Sequence, residues 1–164
     1  MTALSQPRAG SVRAWVTGFN HIALHVRDLA EATRFWVGVF EAEPFGKATP
    51  DRPAFHLRLP GLVLALFERP GVVDWATEYP HYAFTVTGPG LRGMKQRLEE
   101  AGVKTHPLWT RNRRESLMYF RDPSGNLFEF YWPDYDRIAE VRLSRIYGGD
   151  FEPAIEDLRY DWTG

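Results

Sequence analysis

A short pattern occurs twice in the chain, with its two histidines 60 residues apart. FNHIALHV covers residues 19–26 and YPHYAFTV covers residues 79–86, and both read as aromatic, any, His, any, Ala, apolar, any, Val. Each copy alternates in the way of a half-buried strand, and a helical pattern follows each copy. A repeat of this kind predicts two similar half-domains in sequence.

The first half reads as a strand, a helix and a hairpin. Asp28 with a glutamate three residues later predicts a helix start of the capping-box type. Strands are predicted at 54–59 and 62–68, joined by a tight turn at Gly61, with one more short strand near 41–48.

The second half repeats this order. Its helix has Leu91 and Leu98 on one stripe, and Gly102 is a typical C-terminal stop. The segments SLMYFR and LFEFYW then form a strand pair around a turn rich in Pro and Gly.

The last strand carries one carboxylate among aromatic residues, in FRDPSGNLFEFYW at residues 120–132. Because side chains alternate along a strand, Glu129 shares a face with Leu127 and Tyr131. A buried carboxylate costs several kcal/mol unless it is paired, hydrogen-bonded or bound to a cation. Glu129 therefore needs a partner.

The repeat suggests that partner. His21 aligns with His81, whereas the turn-to-turn register aligns Glu129 with Ala65. If the halves pair about a pseudo-twofold axis, we expect His21, His81 and Glu129 to meet in a shared cavity. Two imidazoles and one carboxylate are typical of non-haem Fe²⁺ sites and also suit Mn²⁺, Ni²⁺, Co²⁺ or Zn²⁺. The sequence therefore predicts one divalent metal ion.

Composition and charge exclude several classes of binding partner and of metal site. Twenty Lys and Arg against 21 Asp and Glu give a net charge of −1, which provides no field that would attract nucleic acid or an anionic membrane. The chain has no cysteine, so disulfides and thiolate metal sites are excluded. The apolar run 62–67 is far too short to span a membrane, and the N-terminal segment lacks the apolar core of a secretory signal. We expect one cytoplasmic domain that acts on a small molecule.

The paired strand openings, together with YFRDPSGNLFEF, resemble the vicinal oxygen chelate superfamily of glyoxalases, bleomycin resistance proteins and extradiol dioxygenases. The resemblance covers about residues 17–133. It implies an α+β fold of two βαβββ modules, about 17–72 and 77–133, paired into a half-barrel cavity. It also implies a metal held by residues that match His21, His81 and Glu129, a substrate with vicinal oxygens, and a homodimer. Residues 1–16 are expected to be flexible, and 134–164 to pack on the domain or on a dimer partner.

Departures from the family's subgroups separate the possible reactions. Glyoxalase-like enzymes generally use a fourth ligand where this chain has Ala65, and fosfomycin thiol transferases usually carry a hydroxyl or thiol where it has Ala23. Their serine-rich potassium loop is not evident either. Extradiol dioxygenases share the three-ligand site and a tyrosine that matches Tyr119, but their acid/base histidine is missing from the strand at 62–66. His56 or His106 could transfer protons instead, although we expect both at surface or loop positions.

The favoured reaction at this point is an extradiol-type dioxygenase that uses Fe²⁺. A glyoxalase-like isomerase or lyase and a thiol transferase are the enzymatic alternatives, and a drug-binding resistance protein without catalysis is the third class.

Two further groups of residues are candidate substrate contacts. The arginines 111, 113, 114 and 121 could close over an anionic substrate, and Trp109 could line an apolar pocket. A solvated loop is the competing interpretation for the arginines.

Overall fold

The structure is a computed structural model, and it describes residues 19–46, 54–71, 80–135, 137, 140–144 and 151–158. The N-terminal segment 1–16, for which flexibility was expected, lies outside the described residues.

The first module forms a four-stranded sheet with one helix. Its elements are β1 (Ile22–Val26), α1 (Leu29–Phe40), β2 (Glu43–Phe45), β3 (Ala54–Leu59) and β4 (Leu62–Glu68). The strand order is β1-β4-β3-β2, with β1 and β4 parallel and the other pairs antiparallel.

The second module has the same architecture. Its elements are β5 (His81–Thr85), α2 (Gly88–Glu100), β6 (Trp109–Thr110), β7 (Ser116–Arg121) and β8 (Leu127–Trp132). The sheet order is β5-β8-β7-β6-β9, where β9 (Arg142–Leu143) comes from the C-terminal extension. Two βαβββ modules confirm the predicted α+β fold.

Both helices begin and end as local chemistry requires. The carboxylate of Asp28 accepts a hydrogen bond from the Glu31 amide at 2.8 Å, and the Thr87 hydroxyl caps α2 in the same way. Gly102 follows α2 with a φ of 79°, a left-handed conformation that glycine adopts without steric cost.

Strand register repeats between the modules. Ala23 pairs with Ala65 across β1 and β4, and Ala83 pairs with Glu129 across β5 and β8. The alignment of Glu129 with Ala65 that the sequence predicted is therefore the one in the fold.

A single core joins the two modules. Leu24 of β1 and Phe128 of β8 belong to the same buried cluster, and the rings of Trp36 and Phe128 lie 4.9 Å apart. Because this cluster takes the even-numbered residues of β1, β4, β5, β7 and β8, the faces that carry Ala23 and Glu129 lie on the outside of the shared core.

The turn between β7 and β8 links the second module to the first. The Asn126 side-chain amide donates to the His25 carbonyl at 3.0 Å, and the Ser124 hydroxyl accepts from the Arg27 amide at 2.9 Å. Asp122 is fully buried in this turn and accepts hydrogen bonds from Ser124 and Asn126. Burial raises the pKa of Asp122 to about 6, against the opposing effect of these hydrogen bonds.

The described part of the C-terminal extension lies on the second sheet. Strand β9 pairs in parallel with β6, and a short 3₁₀ helix covers Ile155–Asp157. Ile155 and Leu158 are buried in an apolar cluster with residues of β6, β7 and β8. Among the described helices, none is long and apolar enough to cross a membrane.

Candidate metal centre

Two predicted ligands meet on the outer face of the second sheet. His81 opens β5, and Glu129 lies on the adjacent parallel strand β8, paired with Ala83 two residues after the histidine. The Nε2 atom of His81 lies 3.1 Å from a carboxylate oxygen of Glu129, and the two side chains are 18% and 6% exposed. The structure thus explains the charge among aromatic residues, because Glu129 faces an imidazole.

The pair fits a divalent cation in donor type and spacing. Two ligands with bonds of about 2.1 Å at right angles lie about 3.0 Å apart, close to the observed 3.1 Å. A carboxylate offers about four lone-pair positions, so the contact with His81 leaves Glu129 with capacity for a cation.

The predicted third ligand lies elsewhere. His21 is exposed just before β1, with its Nδ1 atom 2.8 Å from the Asn20 side-chain oxygen. It belongs to the first sheet, whose outer face points away from that of the second. The described residues contain no group of three His, Cys, Asp or Glu side chains placed to hold a metal. His81 and Glu129 therefore form two thirds of the predicted set within one chain.

Tyr119 completes the surroundings of the pair. It lies on β7 directly opposite Glu129 and is 1% exposed. Its ring meets the His81 ring edge to face at 5.4 Å. Tyr119, His81 and Glu129 thus form one group of neighbouring side chains, of which His81 is the most exposed.

The two other candidate histidines lie in different surroundings. His106 lies in the loop before β6, as one of the two expected positions, but it is fully buried there; its ring lies 5.6 Å from the Tyr119 ring. The chain turns inward here because the His106 amide donates to the Tyr119 carbonyl at 2.8 Å. His56 is partly buried on β3 in the first module, opposite Ala65.

The arginine group divides into two parts. Arg121 is 1% exposed and donates to the carbonyls of Gly125 and Ile155, so the expected contact with an anionic substrate is wrong for this residue. Its guanidinium holds the turn and the extension instead. Arg113 and Arg114 are exposed in the loop before β7.

Trp109 does not line an open pocket. It is fully buried and packs in the apolar cluster with Ile155 and Leu158. The sequence shows these apolar residues in the tail, but no local signal indicates that they cover the face that carries Glu129.

A separate cleft of about 540 Å³ lies between α2 and the extension. Its lining is of mixed charge and includes Arg92, Lys95, Glu140 and Arg142, but neither His81 nor Glu129. It is therefore not the candidate metal centre.

Comparisons with known proteins identify relatives of this chain. The chain is 33% identical over 118 residues to the glutathione transferase FosA of Serratia marcescens, covering 68% of this chain and 78% of that protein. It is 27% identical over 138 residues to the fosfomycin resistance protein FosX of Listeria innocua, covering 80% and 98%.

A solved structure shares the fold. FosX of Listeria monocytogenes, as a mutant complexed with Mn(II) and 1S,2S-dihydroxypropylphosphonic acid, matches with a TM-score of 0.59 and 26% identity. The match covers 70% of this chain and 91% of that chain. Residues 18–130 match the model of the Glyoxalase/Bleomycin resistance protein/Dioxygenase superfamily, and the chain belongs to this superfamily.

Proposed function

We propose that this protein is a metal-dependent transferase that adds a small thiol to fosfomycin or to a related small phosphonate. The observation that carries the proposal is the pair of the partly buried His81 and the buried Glu129, with its two donor atoms 3.1 Å apart. Its relatives include a glutathione transferase and fosfomycin resistance proteins, which favour this reaction among those open to the superfamily.

His81, Glu129 and one further donor would hold the metal. His21 of a second copy is the proposed donor, because the outer faces of the two sheets diverge within one chain and a second copy can bring its first sheet to this face. The protein would then be a homodimer with two equivalent sites.

A bound divalent ion supplies Lewis-acid activation of an oxygen on the substrate. Around it, the residues of this chain would orient the substrate and exclude water. The phenol of Tyr119 can donate a hydrogen bond to an oxygen that becomes negative as its C–O bond breaks.

The anionic part of the substrate is matched by charge. Arg113 and Arg114 are exposed in the loop that leads into β7, the strand that carries Tyr119. A phosphonate carries negative charge that guanidinium groups bind well. The loop thus supports a phosphonate more than an uncharged catechol.

Other reactions have less support. Ring cleavage as in extradiol dioxygenases would need an acid/base histidine on β4, where the sequence is LVLALFE. The complex of the structural relative contains Mn(II), so Mn²⁺ replaces Fe²⁺ as our first choice of metal. Drug-binding proteins of this fold without catalysis often lack the metal ligands, so the pair of His81 and Glu129 argues against that class.

Ala23 stands where fosfomycin thiol transferases usually carry a hydroxyl or thiol, so the experiment compares a thiol with water as the nucleophile. Purified protein loaded with Mn²⁺ would be incubated with fosfomycin and cysteine, glutathione or no thiol, and the phosphorus products followed by ³¹P NMR. We expect a thioether adduct that depends on the added thiol and disappears in Glu129→Gln, while Glu100→Gln, at the exposed end of α2, retains activity.

Formation of the diol without thiol would replace the transferase by a hydrolase. No change in the phosphonate under any condition, together with oxygen uptake on catechols after loading with Fe²⁺, would contradict the proposal and favour the dioxygenase.

A further inference from the structure

The C-terminal segment 151–158 lies over the same sheet face as the candidate metal centre. Ile155 and Leu158 are 8% and 0% exposed and belong to one apolar cluster with Tyr119 and Leu127. These two cluster residues are the cross-strand neighbours of the proposed ligands, because Tyr119 pairs with Glu129 and Leu127 pairs with His81. The segment therefore covers the residues that flank the pair.

Several contacts hold the segment in this position. The buried Arg121 guanidinium donates to the Ile155 carbonyl at 3.4 Å. The Phe151 ring lies 5.6 Å from the His106 ring and 6.2 Å from the Trp109 ring. The Arg142 guanidinium lies 5.8 Å from the centre of the Phe151 ring. A buried guanidinium and a ring contact on each side favour one defined position of the segment.

The C-terminal segment covers the surroundings of His81 and Glu129 on one side only. Ala83 and Thr85 on the edge strand β5 are exposed, although they share the face of His81 and Glu129. The route to the pair is thus open along β5 and closed by apolar side chains on the side of β6 and β7. A substrate that enters along β5 would meet the extension at the far end of its site.

We propose that the extension forms the inner wall of the substrate cavity and that Ile155 and Leu158 determine the size of substrate that fits. This inference rests on the proposed function for the identity of the substrate, but not for the position of the wall. The wall lies beyond residues 18–130, which match the superfamily model, so it is not part of the matched scaffold.

Access to the site can be measured without any substrate. Since the chain has no cysteine, Glu129→Cys places a single thiol at the site, and its labelling rate reports exposure. We expect N-ethylmaleimide to react much faster than a fluorescein maleimide, because the two reagents share one reactive group and differ in size. Adding Ile155→Ala or Leu158→Ala should reduce this difference about tenfold, because each removes part of the wall.

Val141→Ala is the matched control. Val141 lies in the same extension and is also 8% exposed, but it packs in the core between the modules. It should leave the ratio of labelling rates unchanged. Where Ile155→Ala does not fold, Ile155→Val should give a smaller change in the same direction.

The substrate arm compares epoxyphosphonates that carry a methyl or an n-propyl substituent. In Ile155→Ala we expect the preference for the methyl compound to fall about tenfold in kcat/KM, which is the usual scale of discrimination by pocket size. If the variants turn over fosfomycin with unchanged size preference and unchanged labelling ratios, the extension does not form the wall of the cavity. If no variant turns over a phosphonate, the proposed function fails, and the labelling rates still decide whether the wall exists.

Discussion

Ala65 in the first module and Glu129 in the second occupy equivalent positions, since each pairs with the alanine that lies two residues after its module's histidine. Ala65 is 2% exposed and Glu129 is 4% exposed. The duplicated scaffold therefore has two buried positions of this kind and places a carboxylate at only one of them. This asymmetry supports one metal site per chain rather than two.

Removal of either proposed ligand should weaken metal binding. We expect His81→Ala and Glu129→Gln each to reduce Mn²⁺ affinity by at least about a hundredfold, because loss of a direct ligand should exceed the 10- to 100-fold loss seen for outer-shell partners. Titration calorimetry or the EPR signal of free Mn²⁺ measures this directly. Glu100→Gln, at the exposed end of α2, serves as the control, and unchanged affinity in Glu129→Gln would refute the ligand assignment.

Complementation tests whether a second copy supplies His21. His21→Ala and Glu129→Ala should each bind metal poorly when alone. In a mixed dimer one site would lack both groups and the other would be intact. After random reassembly from equal amounts, we expect about a quarter of the wild-type number of sites. A mixture that binds no more metal than its parts would exclude sharing between copies.

The contact between the modules through Asn126 should stabilise the fold. Its amide donates to the His25 carbonyl at 3.0 Å and to Asp122 at 2.9 Å. We expect Asn126→Ala to lower the free energy of unfolding by about 1–3 kcal/mol, because the buried Asp122 carboxylate loses one of its donors and the bond to the first module is lost. Chemical denaturation measures the change.

Asn112→Ala is the control for this contact. Asn112 is exposed and accepts a hydrogen bond from the nearby Arg114 amide, so its loss should change stability by less than about 0.5 kcal/mol. Equal effects of the two variants would show that the link between the modules contributes nothing of its own.

Stability should depend on pH through Asp122. Its ordinary pKa is 3.8, and burial raises the folded-state pKa to about 6. Between these values the folded protein binds more protons than the unfolded chain. The contribution of Asp122 is thus full below about pH 4 and is lost as the pH rises through about 6, by up to about 3 kcal/mol.

The comparison with Asp122→Asn isolates this effect. Unfolding free energies measured from about pH 4 to pH 7 should fall more steeply for the wild type than for the variant, which cannot ionise at this position. Parallel curves for the two proteins would show that Asp122 does not titrate in this range.

Much of the fold could be predicted from local patterns. The strands at 54–59 and 62–68 lie where the alternation places them, and Asp28 caps the first helix as predicted. The alignment of Glu129 with Ala65 also followed, because strand alternation and the register of a repeat can be read from the chain without knowledge of distant contacts.

The tertiary structure decided which faces of the two modules pack together. Trp36 and Phe128 lie far apart in sequence, and their contact helps to join the modules through their inner faces. That contact separates His21 from the other two proposed ligands within one chain. Packing likewise buried His106 and Arg121 and placed Ile155 over the site. The sequence alone determined the chemistry of the residues and their alternation along each strand. Their meeting depends on long-range apolar burial, which no local pattern encodes.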